Sequence, residues 1–342
     1  MRLVVVCLAL LCAVIPSFGQ ESGMGQGPQD EKAKKTYKEA FALLHDGNAS
    51  AALSEFKKAD KQDGGHCYAC QREMIKYGME TGDWKIVELA CDEMVAEAKD
   101  EKAAALAHYQ YSLVLVDEGQ QRKKTEYYGR AHDEAVKALT VHTNFPDAVF
   151  LDGRALGLQG QDDAARARFQ EYMKMSSATA AGKQRAERYV ARPELARARM
   201  APAFEVTTLD GRRMTLDDWQ GKVVLLDFWA TWCGPCREAL PHIKDVAKKF
   251  EGQPLVVLSV SLDSDEVKWK EFVAKNQMTW PQYYDGGFEG SVAKMFGVSE
   301  IPHTFTIDAD GVLQEEHVGD ASIEGKLKKL LAQARERQTA LQ

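Results

Sequence analysis

Cys233 and Cys236, with two residues between them, close the stretch Asp227-Phe-Trp-Ala-Thr-Trp-Cys233-Gly-Pro-Cys236. An apolar run, Lys222-Val-Val-Leu-Leu, leads into it, and Arg-Glu-Ala-Leu-Pro241 follows. Val223 to Trp229 reads as a buried strand and Arg237 to Phe250 as a helix with apolar residues at helical spacing. The two thiols therefore fall where a strand ends and a helix begins. Free amides and the helix dipole there favour a thiolate on the first cysteine. The thiolate is the attacking species in disulfide exchange, so Cys233 is the expected nucleophile and Cys236, one turn inside the helix, the resolving thiol. Asp227 precedes Cys233 on the same buried strand. A buried carboxyl has a raised pKa and can pass a proton to or from Cys236. Trp229 and Trp232 are expected to pack around the pair and exclude water.

Simpler explanations fit this pair less well. A structural bridge of this spacing closes too small a loop to stabilise a fold much. A zinc site would need a second pair or two histidines at ligand spacing, and none follows Cys236. No metal and no cofactor is expected.

A second pair, Cys67-Tyr-Ala-Cys70, has His66 before it and Cys91 in the following helical segment. Haem attachment would require a histidine where Gln71 stands. A Cys67–Cys70 disulfide, a link from one of them to Cys91, a regulatory or relay dithiol, and a metal site with His66 all stay open. Cys91 occupies a packing position and reads as a small core hydrophobe.

The chain of 342 residues is long enough for two domains. Arg2, the apolar segment Leu3 to Ile15 and the small residues ending at Gly19 predict a secretory signal peptide over 1–19, cleaved near Gly19. The apolar segment is short for a membrane span. Residues 20–30, rich in Gly, Gln and Ser, read as a disordered leader. Export would place five of the seven cysteines where disulfides persist, an odd number that leaves at least one thiol free or paired between molecules. The net charge of −7 is spread over both signs without a basic stripe, which argues against nucleic acid as a partner.

Residues 31–175 are helical in pattern throughout, with a period. Gly47-Asn48, Ala52, Phe56 and Ala59 recur as Gly82-Asp83, Val87, Cys91 and Met94, and again at Gly160-Gln-Asp, Phe169 and Tyr172. Between them Ala104 to Phe145 is less regular, stretched by a polar insertion starting at Gly119. These residues resemble the tetratricopeptide family, whose repeat is about 34 residues. Four stacked helical hairpins would form a curved array with a concave face fit for a peptide or protein partner. Residues 176–201 read as a helical linker, and Pro202 marks the domain boundary.

From residue 202 to 342 strands and helices alternate. Expected are a hairpin at Phe204–Leu209 and Arg213–Thr215, a second buried strand at Leu255–Leu262, and a helix at Asp265–Asn276 capped by Asp263 or Ser264. A short helix at Ser291–Phe296, a hairpin at His303–Asp308 and Val312–His317, and a closing helix at Ala321–Gln338 follow. This order describes a mixed sheet with helices on both faces. The fold class is thus multidomain: an all-α helical repeat array followed by an α/β domain with a mixed central sheet.

The Asp227–Cys236 string, Pro241 and Ile301-Pro302 resemble the thioredoxin superfamily. The lead-in Trp219-Gln-Gly-Lys222 and the Phe228–Cys233 string look like its TlpA/ResA-type branch of exported bacterial thiol–disulfide oxidoreductases. The resemblance implies that Pro302 is a cis-proline facing the dithiol and shaping the edge where a substrate strand lies. Trp232, Gly234, Pro235, Ile301 and His303 would contact substrate there. The family often has Thr where His303 stands, and the imidazole would either stabilise the Cys233 thiolate or point to solvent. Asp227 matches thioredoxins proper, and Gly-Pro between the cysteines goes with a reductant in this family. The resemblance implies reduction of disulfide-bearing envelope proteins through a mixed disulfide, in a bacterial periplasm or cell envelope, fed by a membrane electron donor. Two other readings remain. A thiol peroxidase would use Thr231 ahead of a peroxidatic Cys233, although no proline-rich approach precedes it. A binding or assembly protein would carry the dithiol incidentally.

Overall fold

The helical hairpins of the N-terminal half turn on residues that tolerate left-handed backbone. The structure, a computed structural model, describes residues 27–319 and 323–340. The expected signal peptide, Cys7, Cys12 and the leader before Gly27 lie outside the described residues. Eight helices pair as α1 (Glu31–His45) with α2 (Ala49–Gln62), α3 (Tyr68–Thr81) with α4 (Trp84–Ala96), α5 (Glu101–Arg122) with α6 (Glu126–Val141), and α7 (Pro146–Leu158) with α8 (Asp162–Lys174). Gly47, Gly82 and Gly160 sit in three of the hairpin turns with φ of 75°, 75° and 80°. Glycine adopts this conformation without steric cost, which is why it recurs with the repeat. In the third hairpin Lys123 takes the same role at φ 56°, so that unit lost its glycine marker. The polar segment after Gly119, expected as an insertion, instead lengthens α5 to 22 residues.

Small residues let the paired helices approach. A Cβ on Gly78 would meet Val87 Cγ2 at 2.5 Å, and one on Gly153 would meet the Phe169 ring at 2.8 Å. Phe56, Met74, Val87, Leu115 and Leu151 join one continuous core across the hairpins, as an array of interdependent repeats requires. Asp30, Asn48, Asp83 and Asp100 each accept first-turn amides at helix starts. A ninth helix, α9 (Ala180–Ala191), brings Tyr189 against Phe150 and Phe169, and the 3₁₀ turn Pro193–Arg197 follows. The chain divides into two compact units after Arg197, so α9 and this turn fall with the helical unit.

The second unit opens with the antiparallel pair β1 (Glu205–Thr207) and β2 (Arg213–Thr215). It continues through β3 (Val223–Trp229), α10 (Gly234–Lys249), β4 (Leu255–Ser261), α11 (Glu266–Lys275), β5 (Gln282–Tyr284), α12 (Ser291–Phe296), β6 (His303–Ile307), β7 (Leu313–Val318) and α13 (Glu324–Ala340). The five-stranded sheet has the order β5-β4-β3-β6-β7. β3 runs parallel to β4 and antiparallel to β6, and β5 and β7 extend the two edges. This is a thioredoxin fold with a mixed sheet.

Every residue of β3 is buried, because helices or loops cover both faces. Val223 and Leu225 pack on Ile243 and Val246 of α10 and on Leu327 and Leu330 of α13. Val224, Leu226 and Phe228 face the other way, onto Phe204, Trp219, Val292 and Phe296. The three-residue edge strand Gln282–Tyr284 is not among the elements expected from the sequence. One local expectation is corrected. The cap of α11 is Asp265, whose carboxylate accepts the Val267 and Lys268 amides, and not Asp263 or Ser264. Among the described residues no helix is long and apolar enough to cross a membrane.

Candidate functional site

Cys233 is the residue immediately before α10, in extended backbone at φ −79° and ψ 110°, and its Sγ accepts the Cys236 amide at 3.1 Å. β3 fixes the approach: the Cys233 amide donates to Ala230 O at 3.1 Å, and Leu262 N donates to Trp229 O at 2.8 Å. The two cysteines form a disulfide with their Cα atoms 5.3 Å apart. Both are nearly covered, by Trp229, Ala230, Leu240, Trp269, Val273 and Met278. Across from them the Ile301–Pro302 peptide is cis, and the Ile301 carbonyl oxygen lies 3.8 Å from Cys233 Sγ.

Asp227 sits on the same face of β3 as Leu225 and Trp229, the face that α10 covers, and burial pushes its carboxyl up to about 6. Ser259, its register partner on β4, donates its hydroxyl to Asp227 Oδ2 at 2.9 Å and holds the pKa back. Trp280 Nε1 in turn donates to Ser259 Oγ at 2.9 Å. An ordered chain thus runs from an indole through a hydroxyl to the carboxylate under α10.

The turn that carries Thr231 and Trp232 is tied down by Asp263. Thr231 donates its amide at 3.1 Å and its hydroxyl at 2.6 Å to this carboxylate, and Ser261 Oγ donates at 2.7 Å. Asp263 is 2% exposed. A carboxylate so placed costs desolvation unless several donors answer it, and here they do.

The sequence-expected residues do not all gather here. Cys233, Cys236, Ile301 and Pro302 meet, and Asp227 lies beneath α10. Gly234 and Pro235 form the first turn of α10, where a Cβ on Gly234 would meet nothing within 4 Å. Trp232 is 58% exposed and lies outside the cluster that covers the pair, presenting an indole beside Cys233. His303 does not face solvent. Its ring is buried, stacks on Phe305 at 4.5 Å, and lies 3.3 Å from Glu316 Oε1. Its strand partner is Phe228, so it belongs to the face opposite Asp227 and is not directed to the thiolate. Burial lowers its pKa, with Glu316 opposing. Ser259 and Trp280 were not singled out from sequence, and Asp263 was read only as a helix cap. Only their register positions on β4 and beyond its end bring them to the site.

In the helical unit Cys67 and Cys70 form a disulfide, and Cys91 is free and buried. Burial raises the Cys91 thiol well above its ordinary value, as for an inert core residue. His66 pairs with Glu97 at 2.6 Å. Among the described residues no three His, Cys, Asp or Glu side chains converge to hold a metal.

The profile described as the AhpC/TSA family matches residues 198–316. The chain is 34% identical over 133 residues to the Thiol-disulfide oxidoreductase ResA of Bacillus thuringiensis subsp. konkukian, covering 38% of this chain and 76% of that protein. It is 36% identical over 122 residues to the Thioredoxin-like protein YneN of Bacillus subtilis, covering 35% of this chain and 69% of that one. Among solved structures, a thiol-disulfide oxidoreductase from Bacteroides fragilis is 27% identical, with 39% of this chain and 99% of that one covered and a TM-score of 0.36.

Proposed function

The chain belongs to the ResA-type thiol-disulfide oxidoreductases of the thioredoxin superfamily, and from that membership we propose that it is exported and reduces protein disulfides through a mixed disulfide on Cys233. The observation that carries this reading is the setting of Cys233 Sγ. It receives the Cys236 amide at a helix start and lies 3.8 Å from the carbonyl of Ile301. The amide and the dipole of α10 stabilise the thiolate that must attack.

In the reduced enzyme the Cys233 thiolate attacks one sulfur of a substrate disulfide laid along the Ile301–Pro302 edge. A sulfur–sulfur bond to Cys233 forms, and the second substrate sulfur leaves as a thiolate that takes up a proton. Asp227 accepts the proton of the Cys236 thiol, with Ser259 steadying the charge that results. Cys236 then attacks Cys233, the Cys233–Cys236 disulfide forms, and the substrate departs with two electrons and two protons. Trp232, Gly234, Pro235 and Ile301 offer the contact surface for the substrate strand. His303 underpins that edge from the opposite face.

Gly234 and Pro235 put no protonatable group beside Cys233, so the thiolate is stabilised by α10 alone and the dithiol gives up its electrons readily. Outside the cytoplasm such a reductant needs a membrane electron donor. Disulfide-bearing envelope proteins are the substrate class, and the tetratricopeptide-like unit offers them, or another protein, a docking array. Equilibration with reduced and oxidised glutathione tests the direction. A potential near that of thioredoxin, about −270 mV, is expected, and one near the strong oxidants, about −120 mV, would overturn the reading. Two other readings find less support. A peroxidase would need the Thr231 hydroxyl at the reacting sulfur, and that hydroxyl is given to Asp263. Peroxide consumption is expected to be absent. A pure binding role predicts that Cys233→Ser leaves the cellular phenotype intact, and loss of function is expected instead.

A further inference from the structure

The helical unit repeats, on an unrelated scaffold, the arrangement that holds Cys233. Cys67 is the residue immediately before α3, and its Sγ accepts the Cys70 amide at 3.1 Å, the distance at which Cys233 accepts the Cys236 amide. The Cα atoms of the two pairs are 5.2 and 5.3 Å apart. Both second cysteines lie one turn inside a helix of more than a dozen residues. A buried carboxyl accompanies each pair. Asp60 of α2, 3% exposed, accepts the Cys67 amide at 3.2 Å and Gln71 Nε2 at 3.3 Å. As with Asp227, burial is the first cause that raises its pKa.

A purely structural role explains this bridge poorly. The loop it closes is too short to remove much entropy from the unfolded chain, and α3 already holds the two residues within one turn. Among the described residues of this unit the remaining cysteine, Cys91, is packed in the main core of the hairpins, apart from the cluster of Cys67, Cys70 and Ala59. The reduced form, by contrast, has a ready stabiliser, since a Cys67 thiolate would keep the Cys70 amide and gain the dipole of α3.

We propose that Cys67–Cys70 is a second redox-active disulfide, which exchanges with an external dithiol. One donor thiolate attacks Cys67 Sγ, the Cys67–Cys70 bond breaks, and Cys70 leaves as a thiolate that is protonated. The second donor thiol then displaces Cys67. The donor becomes a disulfide, and its two protons and two electrons end on Cys67 and Cys70. Neither sulfur is exposed, since Tyr37, Ala59 and Ala69 pack over the pair. Attack therefore proceeds through local opening at the start of α3, next to the left-handed glycines Gly64 and Gly65. The chain then stores two electron pairs, one in each unit.

The test uses the full chain carrying Cys233→Ser and Cys236→Ser, equilibrated with graded ratios of reduced to oxidised dithiothreitol. Thiols are counted by alkylation and mass, with helical circular dichroism as the check on folding. Two thiols beyond those present at full oxidation are expected to appear together, in one two-electron transition, while the helical signal is unchanged. A pair that stays oxidised at every ratio, or opens only as helix is lost, overturns the proposal. On the same background with Cys70→Ala, the freed Cys67 is expected to react with Ellman's reagent at least tenfold faster than Cys91. Equal rates would overturn it as well.

Discussion

The hydroxyl of Ser259 donates to the carboxylate of Asp227 at 2.9 Å across the parallel pair β3–β4. The bond places a partnered but buried acid on the sheet face covered by the helix that carries Cys236. It is expected to set the pH behaviour of both stability and turnover.

Asp227→Asn is expected to slow disulfide reduction by about 100-fold or more, since a general base in the resolving step is lost. The same change should stabilise the oxidised protein at neutral pH. The folded carboxyl titrates at about 6 against an ordinary 3.8, so the folded state holds the extra proton. Its stability therefore falls as pH rises from about 4 through 6, by about 3 kcal/mol, and is level above that. Urea unfolding of both proteins at pH 4 and pH 8 measures this. A gap that does not widen with pH would contradict the assignment.

Ser259→Ala removes the donor that favours the carboxylate and leaves Trp280 Nε1 without its acceptor. The pKa of Asp227 should rise further above 6. The acid limb of the rate–pH profile is then expected to move to higher pH while the maximal rate is kept. An unmoved limb would separate Ser259 from the proton path.

Asp263→Ala frees the Thr231 turn that positions Cys233, since the Thr231 amide, the Thr231 hydroxyl and the Ser261 hydroxyl lose their shared carboxylate acceptor. Loss of charge-assisted bonds of this kind should cost about 3 kcal/mol. Denaturant midpoints check the stability, and turnover should fall although no reacting atom is touched.

Trp232→Ala tests the exposed indole beside Cys233. Stability should stay within about 0.5 kcal/mol, as for other surface changes. KM for a protein disulfide should rise severalfold with kcat nearly kept, whereas a small disulfide should be reduced at the normal rate.

Much of the fold was legible because its markers are local. The strand into Cys233 and the helix out of Cys236 announce themselves by apolar spacing, and the hairpin glycines by the left-handed turns they serve. The third hairpin was obscured when Lys123 took the glycine position. The edge strand Gln282–Tyr284 is too short to alternate visibly. Of the site, Cys233, Cys236 and Asp227 could be read from one contiguous string. Ser259, Trp280 and Asp263 could not, since their meaning depends on the register of β4 against β3. Asp263 looked like a cap for the helix after it, and its carboxylate instead turns back across the sheet end to Thr231. His303 misled for a similar reason, because strand alternation after Pro302 sends its ring to the Phe305 face.

The most direct test of Cys233 as nucleophile and Cys236 as resolving thiol is mixed-disulfide trapping in the two single serine variants of the full chain. Cys236→Ser should accumulate covalent adducts with disulfide-bearing proteins that dithiothreitol releases, mapped by mass to Cys233, and Cys233→Ser should accumulate far fewer. Equal trapping by both variants, or adducts that map to Cys236, would contradict the account.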